Sequence, residues 1–306
     1  MIRILYVGVV LLGVLCAPEP ANAQNDVGSQ FPNAPGILNT RHNMTQNTEQ
    51  TNSGLTMTAY RNRYGEICVY CHTPHGSNAT VGAPLWNRLL PAGSSFTTYD
   101  KLGTSSLTQT VYQPGAASLP CLSCHDGSQA VDAILNMPGS GQYSAAANSA
   151  SWVPGVAGTG DWIKSKSPQH RNLGSDAGSC MACHAPDGGG AGLGLGVATD
   201  FTVFVIGKDL RNDHPVGVTF PTVTGGATDW KTPSGSKVIN ASLTTKFFDE
   251  NGNGRMDKGD IRMYDTGNGA SVECGSCHDP HGVFGVPTFL RKANAGSAVC
   301  LTCHSK

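Results

Sequence analysis

Ten of the eleven cysteines in this chain fall into five pairs, each with two residues between the thiols and a histidine directly after. They read Cys68-Val69-Tyr70-Cys71-His72, Cys121-Leu122-Ser123-Cys124-His125, Cys180-Met181-Ala182-Cys183-His184, Cys274-Gly275-Ser276-Cys277-His278 and Cys300-Leu301-Thr302-Cys303-His304. Two thiols one helical turn apart can each form a thioether to a vinyl group of one porphyrin. The adjacent imidazole then reaches the iron as proximal ligand, so each unit is an attachment signature for c-type haem. Zinc ribbons also use such thiol pairs, but they combine them into sets of four donors, five units divide badly, and the invariant His has no zinc rationale. A redox-active dithiol occurs singly on a helix N-terminus. These units are numbered sites 1 to 5 in chain order.

Five of the ten histidines are used in the motifs, leaving His42, His75, His170, His214 and His281. One spare imidazole per haem is the number that bis-histidine ligation of every iron requires. His75 and His281 each follow a motif histidine by three residues, in Cys-His-Thr-Pro-His-Gly and Cys-His-Asp-Pro-His-Gly. A residue so close cannot pass round the porphyrin to the far face of the same iron, so each is expected to ligate a neighbouring haem. Pro74 and Pro280 stiffen the link by fixing their own φ. His214 sits in the equally short Asp213-His214-Pro215-Val216-Gly217, His170 follows Ser167-Pro168-Gln169, and His42 lies between Arg41 and Asn43. The methionines do not recur in step with the motifs and read as packing residues.

A second metal is expected between sites 3 and 4. Asp249-Glu250-Asn251-Gly252-Asn253-Gly254-Arg255-Met256-Asp257-Lys258-Gly259-Asp260 follows the twelve-residue EF-hand register. Asp249, Asn251, Asn253 and Asp257 stand at loop positions 1, 3, 5 and 9, Gly254 at the sharp turn, Arg255 at the position that ligates through its carbonyl, and Asp260 at position 12. The departure is Asp for Glu at that last position. One structural Ca2+ is the expectation, against the simpler reading of a solvated Asn/Gly turn.

The chain opens with Arg3, an apolar run from Ile4 to Leu15, and Ala21-Asn22-Ala23 before Gln24. This reads as a signal peptide over 1–23, because the run falls short of the roughly 20 apolar residues of a membrane span. Cys16 would leave with it. Export places the chain in the periplasm or outside the cell. Residues 24–60 read as an extended N-terminal arm of a pentahaem domain over 24–306. Charged residues make up only 13% of the chain and aromatics 7%, with 39 glycines, so porphyrins are expected to supply the core that the side chains lack. The expected fold is mostly coil with short helices at the motifs and a minor β-hairpin of Phe201-Thr202-Val203-Phe204-Val205-Ile206 with Val216-Gly217-Val218-Thr219-Phe220, around a continuous haem chain. A net charge of −1 provides no field for nucleic acid.

Glu66-Ile67-Cys68-Val69-Tyr70-Cys71-His72-Thr73-Pro74-His75-Gly76, then Ala83-Pro84-Leu85-Trp86-Asn87-Arg88, Cys121-Leu122-Ser123-Cys124-His125-Asp126-Gly127, Asp213-His214-Pro215-Val216-Gly217 and Cys277-His278-Asp279-Pro280-His281-Gly282 resemble the multihaem cytochromes with doubled C-x-x-C-H motifs. That family includes the extracellular filament-forming cytochromes of metal-reducing bacteria. The resemblance implies bis-histidine haems in stacked and T-shaped pairs, a loop-dominated fold, and electron conduction to redox partner proteins or extracellular acceptors. In the filament members an N-terminal His of one subunit completes a haem of the next, a role that falls by position on His42 and implies a head-to-tail homopolymer.

The functional expectation is therefore electron transfer without catalysis. The alternatives are a reductase resembling pentahaem nitrite reductase, and a docking cytochrome of an outer-membrane complex. The first uses a Lys in place of one motif His, and all five units here carry His.

Overall fold

The computed structural model describes residues 36–44, 66–80, 83–91, 96–129, 134–136 and 204–305. Site 3, His170 and the expected signal peptide lie outside these residues. Short helices mark the described haem motifs. Site 1 is a 3-10 turn, Cys68–Tyr70; site 2 lies on α1, Leu119–His125; site 4 on α2, Cys274–Cys277; site 5 on α3, Cys300–Cys303. Pro120 starts α1, where its missing N–H costs no helix bond. Glu273 starts α2 through a capping box with Ser276, whose Oγ accepts the Glu273 N–H at 2.9 Å.

Five strands form one antiparallel sheet in the order β1-β5-β4-β3-β2: β1 Val218–Thr219, β2 Gly235–Asn240, β3 Leu243–Phe247, β4 Arg262–Asp265 and β5 Ser271–Val272. Leu243, Thr245 and Phe247 are buried while Lys246 between them is exposed, the period of a strand with one face on a core. β2 at the edge is mostly exposed. Gly235 is required there, because a Cβ would stand 2.7 Å from the ring of Phe247, its cross-strand partner. The β3–β4 connection is the 249–260 loop.

Residues 201–203 of the expected hairpin lie outside the described residues, and the rest of it does not pair as expected. Val218 and Thr219 pair with Val272 and Ser271, and residues 204–206 are not in a strand. Their backbone groups are committed elsewhere: Phe204 O accepts the His125 ring N–H, and the Ile206 and Gly207 N–H groups donate to His125 O. The arm is also not extended where it is described. Ile37–Asn39 form a 3-10 turn, and Thr40 and Asn43 are buried.

Two small apolar clusters stand beside the motifs. Phe220, Phe248, Ile261, Met263 and Ala270 pack with Trp230, Val299 and Cys303 of site 5. Phe96, Leu122, Leu210 and Val216 pack with Ile206 and with Cys274 of site 4. Each fully buried side chain of this kind contributes about 1.5–3 kcal/mol, so the sheet is anchored most firmly where it meets the cysteines.

Candidate haem sites

Three motif histidines are oriented in the same way. The Nδ1–H of His72 donates to Pro84 O at 2.7 Å, that of His125 to Phe204 O at 2.6 Å, and that of His278 to Thr288 O at 3.1 Å. A carbonyl only accepts, so the proton sits on Nδ1 and the Nε2 lone pair is left for a metal. His42, far away in sequence, does the same with Pro280 O at 2.8 Å. Burial pushes His42 down to about 4 and also lowers His72, His125, His214 and His278. All five are therefore neutral at pH 7, the form that binds iron.

Sites 1, 4 and 5 share a backbone clamp that no sequence repeat announces. The carbonyl of the second motif cysteine accepts an N–H at 2.8 Å from Asn87 at site 1, Arg291 at site 4 and Lys231 at site 5. The motif histidine forms a bridge with the residue just before that donor: Trp86, Leu290 and Trp230. At sites 1 and 4 the copy extends further. Thr73 N–H donates to Leu85 O and Asp279 N–H to Phe289 O, and both Leu85 and Phe289 have left-handed φ, 55 and 58. The signal in the sequence is faint: a proline-led segment, Pro84-Leu85-Trp86 and Pro287-Thr288-Phe289, at spacings from the motif histidine that differ by three residues.

The motif cysteines lie close to one another across sites. The Cys121 and Cys274 thiols hydrogen-bond to each other, Cys274 N–H donates to Ser118 Oγ at 2.8 Å, and Gly275 N–H to Ala117 O at 3.1 Å, so sites 2 and 4 abut. Buried Glu273 secures this seam by accepting from Ser118 Oγ and the Gly115 N–H. Between sites 1 and 2 runs fully buried Arg88, whose Nη2–H donates to Ser123 O at 3.1 Å. Cys277 of site 4 lines one cavity of about 310 Å³ with Cys300, Cys303, His304 and His214. Burial pushes Cys71 and Cys303 up to about 12 and Cys277 up to about 11, whereas the hydrogen bond with the Cys121 thiol lowers Cys274.

The distal candidates are not placed alike. The His281 ring centroid is 6.1 Å from that of His72, and the His42 centroid 6.2 Å from that of His125. His214 faces the site 5 cavity with His304. His75 is exposed, and no described contact brings it to another motif histidine. His42 thus meets a motif histidine of its own chain.

The residues fit covalently held haem. Thiols and Nε2 lone pairs are presented from one short turn, apolar clusters adjoin them, and Trp86 Nε1 and Gln129 Oε1 lie buried with no protein partner, as groups facing a cofactor's polar edge do. Among the described residues no three His, Cys, Asp or Glu side chains gather round a point that could hold a metal ion. The same holds for the acidic residues of 249–260. There Asp249 accepts the N–H groups of Asn253 and Gly254, Asp257 the side-chain amides of Asn251 and Asn253, and Asp260 the N–H groups of Glu250 and Asp257. No described helix is long and apolar enough to cross a membrane.

Residues 268–306, which hold sites 4 and 5, match the family model described as the doubled CXXCH motif. No curated protein and no solved structure matches the chain. The matched segment carries the paired haem-attachment motifs of multihaem c-type cytochromes, proteins that bind haem covalently and typically carry electrons. Such haems are attached on the outer side of the inner membrane, which is consistent with export.

Proposed function

We propose that the chain is an exported pentahaem electron carrier in which paired histidines saturate the irons. The observation that carries this reading is the two imidazole pairs with centroids 6.1 and 6.2 Å apart, in each of which the motif histidine has Nδ1 tied to a backbone carbonyl. Two histidine ligands leave an iron no open position for a substrate and favour a low potential. The protein's part is to hold the haems edge to edge. The contacts support sites 2 and 5 each beside site 4, with the site 4 loop also reaching site 1 through His281.

The single chain is the working unit in this reading, since the His42 ring, through which a head-to-tail filament would be linked, lies 6.2 Å from that of His125. The 249–260 loop is proposed to take one Ca2+. Its support is the register of oxygen donors together with the Asp249 carboxylate turned onto the N–H groups of positions 5 and 6.

The test is the mass and haem content of the mature protein from its native host, with spin state by electron paramagnetic resonance. Five covalent haems, all low-spin, are expected. A five-coordinate iron, or turnover of nitrite, would replace the carrier with the reductase reading. A homopolymer on size-exclusion chromatography would restore the filament.

A further inference from the structure

Saturated irons do not by themselves say which distal imidazole serves which haem; the geometry does for three sites, given the bis-histidine reading. Two imidazoles bound through Nε2 at about 2 Å to opposite faces of one iron have ring centroids about 6 Å apart. Rings packed directly on each other span a range here, from 4.1 Å for His42 and Phe289 to 6.1 Å for Phe220 and Phe248, so the weight falls on which residues are paired and not on distance alone. The His72–His281 separation of 6.1 Å and the His125–His42 separation of 6.2 Å match that span, and each joins a motif histidine to a spare one. Neither pair is local in sequence, so tethering does not impose the spacing. At the third site His214 and His304 line one cavity with both thiols of that motif.

We propose that His281 is the sixth ligand of the site 1 iron, His42 that of the site 2 iron and His214 that of the site 5 iron. The arrangement interlocks the chain. His281 belongs to the loop of site 4, where its Nδ1 lies 3.5 Å from Asp279 Oδ1. His42 rests on the same loop, bonded to Pro280 O and stacked on Phe289. One loop therefore supplies the ligand of one neighbouring haem and aims the ligand of another. Sites 1 and 2 depend on residues more than 150 positions further along the chain for their final coordination.

The experiment uses the full holoprotein, with low-spin haems counted by electron paramagnetic resonance and near-infrared magnetic circular dichroism. The wild type comes first: unsaturated irons there would overturn the bis-histidine reading, and the pairing with it. With saturation established, H281M, H42M and H214M each convert one bis-histidine haem. Each is repeated in chains lacking one haem: C68A/C71A, C121A/C124A and C300A/C303A. H281M is expected to be silent only in the C68A/C71A chain, H42M only in C121A/C124A, and H214M only in C300A/C303A. Loss of a further bis-histidine signal in the background where silence is expected overturns that assignment. Should a deletion chain not accumulate, H72M/H281M decides the first case: one altered haem if both residues hold one iron, two if they do not.

Discussion

Gly217 tests how the distal histidine of site 5 is held. It lies three residues after His214 with φ +79. Its N–H donates to Val272 O and its carbonyl accepts from Tyr112 N–H, both at 2.8 Å. A Cβ there would stand 2.1 Å from the Tyr112 carbonyl oxygen. Gly207 has nearly the same φ, +76, but a Cβ would meet nothing within 4 Å. G207A therefore measures left-handed strain alone, about 1–2 kcal/mol. G217A adds a clash with backbone, which has no rotamer to escape into. Relieving it to an ordinary carbon–oxygen separation of about 3.3 Å or more moves β1 away from Tyr112 by over an ångström and gives up both hydrogen bonds, each worth about 0.5–1.5 kcal/mol. The expected loss is about 2–5 kcal/mol in total. The assay is guanidinium unfolding followed by far-ultraviolet circular dichroism, with the low-spin fraction recorded on the same samples. G217A should unfold at clearly lower denaturant than G207A and lose low-spin character at one haem. Coincident midpoints at equal m-values would show that Tyr112 does not approach Gly217 in the folded protein.

Burial raises the pKa of Glu273 against the opposing bonds from Ser118, Gly115 and Ser271. The folded chain then keeps this proton to higher pH than the unfolded chain, so stability falls as pH rises from the ordinary carboxylate range through the raised value. E273Q should remove that slope in unfolding midpoints measured across the interval; an unchanged slope refutes the assignment. Calcium at 100 times its dissociation constant should stabilise the fold by about 2.7 kcal/mol, seen as a higher melting temperature over a chelator control, and D249N should abolish the difference. Equal melting curves for the wild type in calcium and chelator would count against the site. W86F deletes a buried N–H that has no protein partner. If a haem edge accepts that N–H, the holoprotein loses about 1–3 kcal/mol; no loss by chemical denaturation would leave Trp86 as packing only.

The positions of the haem sites are legible because covalent chemistry fixes the spacing of thiols and imidazole. The set of spare histidines is legible for the same reason, but their pairing is not. His281 reaches His72, and His42 reaches His125, by contacts that depend on how loops fold over one another and not on local pattern. The sheet was hidden for a different reason. Gly235–Asn240 is mostly solvent-facing and so lacks the apolar alternation by which a strand is read. The β-branched residues at 201–206 suggested a strand, but the carbonyl of Phe204 and the N–H of Ile206 serve the end of α1 instead. Tertiary hydrogen bonds overrode local propensity there.

The clamp shared by sites 1, 4 and 5 explains why so polar and glycine-rich a chain can order its haem motifs. A four-residue helix is too short to be stable by itself, and α2 and α3 have four residues each. Each is fixed from outside, by an N–H on the carbonyl of its second cysteine and a bridge to its histidine. The clamping residue comes from a segment after the motif at sites 1 and 4, but from before it at site 5, where Trp230 and Lys231 precede Cys300. What recurs is thus the contact and not the order of the chain. Among the described residues site 2 shows no such clamp: α1 is longer, with seven residues, and its last carbonyl takes two N–H groups from Ile206 and Gly207. Its histidine is nonetheless oriented by a carbonyl, as at sites 1 and 4. Orientation of the imidazole is therefore the feature these three share, and the rest of the local structure is free to vary around it.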